Sequence, residues 1–407
     1  MKRVDDVNQD TSPNVPFSLP AIGREEEEAV LRVLRSGWLT TGKEALAFES
    51  EFARFVGAKH ALAVNSATSG LQLAYDATGV GAGTSIVTTP YTFASTALAA
   101  EHLGARIIYA DIEKDGYNID ADAIDAALTV AQKNGEDVRA VVPVHIAGKV
   151  CDMDAIQKTV MRHNQHETKT IPIVEDAAHA FPSPTQNGFA GTLGDIGVYS
   201  FYVTKPITTG EGGMICTNDD AYAERIKIMR LHGIDRPVWN RYTSDKASWQ
   251  YDVVESGWKC NLPDILAAIG REQLKKANAL CEAHKKIAAR YNEAFSRYDF
   301  LQLPPDGTGN AWHLYLLRIT PEKLRITRDE FAQKLQERGI GISVHFIPHF
   351  RLTHFQKKYG ITAEQFPNAE KQFSRTITLS FFPTMTEAQI ERVIQTVIEI
   401  GCAQYAK

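Results

Sequence analysis

The chain has 407 residues, 44% of them hydrophobic and 23% charged, which excludes a disordered, a collagen-like and a small disulfide-stapled protein. At about 150 residues per domain that length implies two or three domains. The 44 Lys and Arg against 49 Asp and Glu give a net charge of −5, which argues against nucleic acid as the main partner but allows a small anionic ligand in a local pocket. The five cysteines (Cys151, Cys216, Cys260, Cys281 and Cys402) are scattered and include no CxxC, so neither a disulfide framework nor a metal site is expected, and a reducing cytosol is the natural compartment. The first sixteen residues carry acids and prolines and read as a loose arm, not a signal peptide, and no apolar run has the length of a membrane span.

Ordered sequence is expected from Phe17. Acidic residues Glu25 to Glu28 open a helical pattern, AVLRVLRSGW, where they complement the helix dipole. From residue 60 to residue 220, short β-type runs alternate with helical ones. HALAVN, SIVTTP, ARIIYADI, DVRAVVPVHI and TIPIVED read as strands. TSGLQLAYDATG (ended by Gly79), ASTALAAEHLG, IDADAIDAAL (opened by Asp120) and MDAIQKTVMRHN read as helices between them. GDIGVYSFY and GGMICTN form a last strand pair. This alternation predicts a mainly parallel sheet covered on both faces, with ligands beyond the carboxyl ends of its strands. RPVWNRYTSDKASWQYDVV reads as a long loop in an otherwise helical stretch. After residue 310, AWHLYLLRI, ISVHFI and TITLSFFP read as strands, RDEFAQKLQERG and TEAQIERVIQTVIEIG as helices, together a smaller α+β unit. The expected division is an arm over 1–16, a large domain over 17–272 and a small one over 273–407.

The glycines from Gly79 to Gly83 invite a dinucleotide reading, but a helix precedes them and a strand follows. That reverses the order the fingerprint needs, so a plain turn is expected. Asn65 to Gly70 lies where a strand becomes a helix, so its small residues form either an anion cradle at a helix N-terminus or an ordinary N-cap. Glu175 and Asp176 end a buried strand, where an acid needs a partner. Lys205 precedes Pro206, which drives it to extended geometry, and Gly210, Gly212 and Gly213 permit close backbone approach nearby. A phosphate cradle, a strand-end acid and a lysine are together the parts that hold pyridoxal phosphate: the amine forms a Schiff base with the aldehyde, and the acid keeps the ring nitrogen protonated.

With these parts in order, the sequence resembles the DegT family of PLP-dependent nucleotide-sugar aminotransferases, of fold type I, from about Phe17 to the end. The resemblance is carried by SGWLTTG, VNSATSGLQLAY, TPYTF, PVHIAG, VEDAAHA, SFYVTKPITTGEGG, RLHGI and GWKCNLPDILAAIGREQL, and more weakly by AWHLYLLRI and GISVHF. It implies an α/β fold with a large mixed, mainly parallel sheet and a smaller C-terminal domain. It implies Lys205 as Schiff-base lysine and proton shuttle, Asp176 on the pyridine nitrogen, and His179 beside the ring hydroxyl, where many relatives have Gln. Ala67, Thr68 and Ser200 would bind the phosphate and Phe93 the ring face. Asn261 would reach the cofactor phosphate of a neighbouring subunit in a homodimer with shared sites; many relatives read NYR there, and this chain lacks that Arg. Thr40, Thr41, His145, Arg230 and His232 are the candidates for substrate contact.

The resemblance implies amino transfer from L-glutamate to C4 of a UDP-4-keto sugar for cell-surface polysaccharide or lipopolysaccharide, in the manner of UDP-4-amino-4-deoxy-L-arabinose or UDP-4-keto-6-deoxy-hexosamine aminotransferases. The alternatives are a 3-keto dTDP-sugar aminotransferase, a sugar dehydratase with His in place of the lysine, and a regulatory protein on the same fold. Lys205 and Asp176 argue against the last two.

Overall fold

The computed structural model describes residues 14–165, 170–235, 250–307 and 309–406. Most of the long loop expected around residues 236–254 lies outside the described residues.

Seven strands form the central sheet: β1 (His60–Val64), β2 (Thr84–Thr88), β3 (Arg106–Tyr109), β4 (Asp137–Val142), β5 (Val174–Asp176), β6 (Ile196–Ser200) and β7 (Gly213–Thr217). Two hydrogen-bonded groups, β1-β7-β6-β5 and β3-β2-β4, meet through the parallel bridges Val141–Ile173 and Val144–Asp176. Only β7 runs against the rest, pairing antiparallel with β1 and β6. Apart from the edge strand β3, the strands are buried along most of their length, as expected of a parallel sheet sandwiched by helices.

The intervening helices are stopped and started by local chemistry. Ser66 caps α3 (Ala67–Ala77) by accepting the Ser69 N–H at 3.1 Å, and Asp120 caps α4 (Ala121–Lys133) by accepting those of Asp122 and Ala123. Helices α1 (Arg24–Ser36) and α2 (Lys43–Val56) end on Gly37 and Gly57, both at φ 73°. The Gly79–Gly83 segment is the turn expected of it, with φ of 80° and 82° at its two ends. Gly70 lets α3 lie flat on the sheet, since a Cβ there would fall 2.7 Å from the Val198 side chain.

The second unit has its own core of Phe331, Leu335, Ile377, Val393, Val397 and their neighbours around a three-stranded antiparallel sheet. Three expectations change here. The helix Asp264–Phe295 runs unbroken through the expected boundary at 272/273: Leu274 and Ala277 pack in the core beside α2, while Tyr291 and Phe295 pack in the second core. The arm ends earlier than residue 16, because Val15 is buried and exchanges two 2.8 Å backbone hydrogen bonds with Gly339 and Gly341. ISVHFI is not a strand: only Ser343 pairs, with Thr378, and the chain then leaves toward the large sheet.

Candidate active site

The carboxyl ends of the parallel strands open into a cavity of about 480 Å³. Each wall traces to a strand end. Ser66, Ala67 and Thr68 follow β1, Thr92 and Phe93 follow β2, and Val144 follows β4. Asp176 ends β5 with Ala178 and His179 behind it, and Ser200 ends β6 with Lys205 in the turn beyond. The second unit supplies His313, His345 and Phe346.

Alternation along β5 sends its two acids to opposite sides. Glu175 is fully buried away from the cavity. It receives the Gly191, Leu193 and Gly194 N–H groups at 2.7, 2.6 and 2.5 Å and the His145 ring at 2.8 Å. Asp176 faces the cavity, with Oδ2 accepting the Thr96 hydroxyl at 2.8 Å and Oδ1 the Ala178 N–H at 3.2 Å. Burial raises its pKa, opposed by those two hydrogen bonds and by the charge of Lys205. Both partners are donors to an ionised acid, and a cationic N–H donor in the cavity would complete its set.

Lys205 sits in a turn closed by its own N–H to the Tyr202 carbonyl at 2.9 Å, not in a helix. Burial pulls its ammonium down to about 7, against the pull of Asp176. Its Nζ lies 3.4 Å from His313 Nε2. His179 accepts the Ala147 N–H at 3.3 Å through Nδ1 and stacks on Phe346 with ring centroids 5.4 Å apart. Burial and the Lys205 charge push its pKa well down, so it is a neutral imidazole.

At the opposite end the first turn of α3 presents the Ala67 and Thr68 N–H groups, which have no intrahelical acceptor, beside Ser200. Gly213 makes this cradle possible, because a Cβ there would stand 2.9 Å from the Ala67 nitrogen. Phe93 is 62% exposed although it borders the cavity, its ring tilted against Phe346 at 6.1 Å. An aromatic left uncovered over a concave polar site is a free face for a flat ring.

The structure thus brings Ala67, Thr68, Phe93, Asp176, His179, Ser200 and Lys205 to one cavity. The substrate candidates fare differently. His145 is a correction: it is wholly buried, one ring nitrogen held by Glu175 and the other by the Cys151 N–H, so neither can meet a sugar. Arg230 is a second correction: its Nη1 is bound by Glu49 at 2.5 Å and the Ala63 carbonyl at 2.9 Å, and it is 8% exposed. Thr41 and Asn261 share a 2.6 Å hydrogen bond away from the cavity lining, and Thr41 donates to the Leu262 carbonyl. Thr40 is exposed, its carbonyl taken by the Asp264 N–H. His232, at φ 59°, binds the Trp258 carbonyl through its own N–H. Sequence reasoning missed Thr96, His313 and His345. The last two stand in AWHLYLLRI and GISVHF, and their signal was a histidine amid apolar residues.

Among the described residues no cluster of three His, Cys, Asp or Glu side chains could hold a metal ion, and no helix is long and apolar enough to cross a membrane. A lysine and a buried acid facing one cavity beyond the strand ends of such a sheet define a fold type I, PLP-dependent aminotransferase. Over residues 20–398 the chain matches the DegT/DnrJ/EryC1/StrS aminotransferase family, and it belongs to that family. It is 42% identical to the spore coat polysaccharide biosynthesis protein SpsC of Bacillus subtilis over 389 residues, 95% of this chain and 97% of that one. Among solved structures it is similar to the putative sugar aminotransferase Spr1654 of Streptococcus pneumoniae in its PMP form. The TM-score there is 0.88 at 28% identity, covering 96% of this chain and 100% of the other. Helicobacter pylori PseC, an aminotransferase involved in the biosynthesis of pseudoaminic acid, follows with a TM-score of 0.84 at 28% identity, over 96% of this chain and 100% of that one. The protein is therefore a PLP-dependent sugar aminotransferase.

Proposed function

We propose that the enzyme moves the amino group of L-glutamate to C4 of a UDP-linked 4-keto sugar, for cell-surface polysaccharide. The observation that carries its chemistry is the Lys205 amine and the Asp176 carboxylate facing one cavity whose far end is the start of α3. Bound pyridoxal phosphate supplies an electron sink and a carrier for the amino group.

The chain's own residues do the rest. The Ala67 and Thr68 N–H groups and the Ser200 hydroxyl hold a phosphate, without a guanidinium, which fits a net charge of −5. Asp176 would keep a proton on the pyridine nitrogen, and the Thr96 hydroxyl and the Ala178 N–H favour its ionised form against the burial that raises its pKa. His179 would stand beside the ring hydroxyl and Phe93 would cover one ring face, a reading supported by their place on the one cavity. With its pKa near 7, Lys205 Nζ can take a proton from a carbon and return it at neutral pH.

Substrate and assembly belong to the same proposal. The likeness to SpsC, a spore coat polysaccharide biosynthesis protein, supports a sugar destined for a surface polymer. The four exposed apolar residues Phe93, Tyr202, Val203 and Ile347, at or beside the cavity, support its closure by a second subunit, toward whose cofactor Asn261 would reach. The enzyme then works as a cytoplasmic homodimer of two-domain chains. The test is incubation of the PLP-loaded protein with glutamate and a panel of 4-keto and 3-keto UDP- and dTDP-sugars, with products read by mass. Amination of a UDP-4-keto sugar supports the reading; turnover confined to 3-keto or dTDP substrates overturns it.

A further inference from the structure

Two non-glycine residues in the left-handed backbone region face each other across the cavity wall. Ala147 has φ 59° and Trp312 φ 50°, a conformation that a bulky residue such as Trp rarely adopts. They belong to one clasp: the Ala147 carbonyl accepts the His313 N–H at 2.9 Å, the Gly148 carbonyl accepts that of Ala311 at 3.0 Å, and Asn310 Oδ1 accepts that of Trp312 at 2.9 Å. Gly148 lets the two segments meet, since a Cβ there would fall 3.0 Å from Ala311 and Trp312. The turn sends Trp312 into the second core, stacked on Tyr315, and His313 the other way into the cavity. The same loop donates the Ala147 N–H to His179, so the two imidazoles stand edge to face at 4.6 Å on either side of the clasp. Backbone strain kept in place by such a network marks a position the fold goes out of its way to hold.

What it holds is a histidine against the lysine. His313 is 3% exposed, its Nε2 is 3.4 Å from Lys205 Nζ, and its Nδ1 is buried without a partner among the described residues. Burial first, and then the charge of Lys205, oppose a proton on it, and neighbouring imidazoles at His179, His345 and His284 add none that would favour one. With its ring proton on Nδ1, a neutral imidazole in this place offers Nε2 as an acceptor to the lysine N–H.

We propose that His313 is the positioning residue of Lys205, accepting a hydrogen bond from Nζ and holding the amine aimed into the cavity whenever it is free of the cofactor. The inference rests on the role given to Lys205 above. No bond to carbon is made or broken by His313; an N–H of Nζ is donated to Nε2 in both the amine and the ammonium form, and more strongly in the latter. The groups that face this pair are Asp176 from β5, His179 behind it, His345 from the second unit and His284 from the long helix.

The test titrates the full chain stripped of cofactor. Reaction of Lys205 with an amine-directed acylating reagent is followed against pH, with the labelled peptide read by mass. Loss of an acceptor disfavours the ammonium, so His313→Leu should move the midpoint of Lys205 reactivity down by about one pH unit, as expected for one hydrogen bond to a charged group. His313→Gln, which keeps an acceptor, should restore it to within about a third of a unit on the same scale. An unmoved midpoint in His313→Leu overturns the proposal, as does an equal shift in both variants, which would mark a merely structural role. Should His313→Leu fail to fold, His313→Ala takes its place: a midpoint lowered in it and restored in His313→Gln supports the proposal, and an unmoved midpoint contradicts it. The readout needs no keto sugar, so failure of the substrate assignment and failure of this inference appear in different experiments.

Discussion

Replacing Arg230 separates a structural cation from a substrate contact. Its side chain ties three elements together. Nη1 reaches Glu49 on α2 at 2.5 Å and the Ala63 carbonyl on β1 at 2.9 Å, and Glu49 in turn accepts the Ala63 N–H at 2.9 Å. β1 is the edge of its sheet, so these two side chains satisfy backbone groups that no neighbouring strand meets. The paired side chains are 10% and 12% exposed. Arg230→Met keeps the apolar stem and leaves a carboxylate and a carbonyl unpaired. Breaking a buried pair costs about 3–5 kcal/mol, and the slight exposure here argues for the lower end, about 3 kcal/mol. Urea unfolding followed by tryptophan fluorescence should show that loss, and the double variant Arg230→Met/Glu49→Leu should recover part of it because no charge is then stranded. A wild-type unfolding midpoint together with a raised KM for donor or sugar would refute the assignment and return Arg230 to the substrate.

Three further outcomes follow from the site. Asp176→Asn should keep the visible absorbance of bound cofactor yet slow the glutamate half-reaction at least about tenfold, since a charge-assisted hydrogen bond of about 1.5–3 kcal/mol is lost; an unchanged single-turnover rate would contradict this. Glu175→Gln should destabilise the fold by about 3 kcal/mol through weakened bonds to Gly191, Leu193, Gly194 and His145, while the folded fraction keeps its turnover, checked by urea titration and active-site counting. In the cofactor-free chain Lys205 releases its proton near 7, against an ordinary 10.5, so the unfolded chain binds the extra proton between these values. Stability from this group therefore rises as pH climbs through that window, and its cost is present in full below pH 7. Lys205→Met should stabilise the cofactor-free chain most below pH 7 and least near pH 10.5; a pH-independent difference would refute it.

The parts of the site that could be read in the sequence are those that a strand end delivers locally. Asp176, Ser200 and the Ala67–Thr68 turn follow directly from apolar runs that stop, and Lys205 from its place before Pro206. The misreadings share one cause, pairing across distance. His145 and Arg230 are polar residues in recognisable motifs, but their partners are Glu175 and Glu49, 30 and 181 positions away, and only the folded chain shows those partners taking up their hydrogen-bonding atoms. His313 and His345 were invisible as site residues for the same reason: they join Lys205 only because the second unit folds back over the strand ends. The expected division at 272/273 falls inside one 32-residue helix, which gives its two halves to two cores without any Gly or Pro signal at the change.

The central claim is that Lys205 carries the chemistry in a site built for pyridoxal phosphate. The most direct measurement loads wild type and Lys205→Ala with the cofactor, records the visible spectrum, and then adds glutamate. Wild type should show the band of a lysine-linked cofactor and lose it as 2-oxoglutarate appears in equal amount. Lys205→Ala should bind the cofactor through the α3 cradle and Asp176 without that band and form no 2-oxoglutarate. A wild-type protein that takes up no cofactor, or an alanine variant that transaminates at the wild-type rate, would contradict the account.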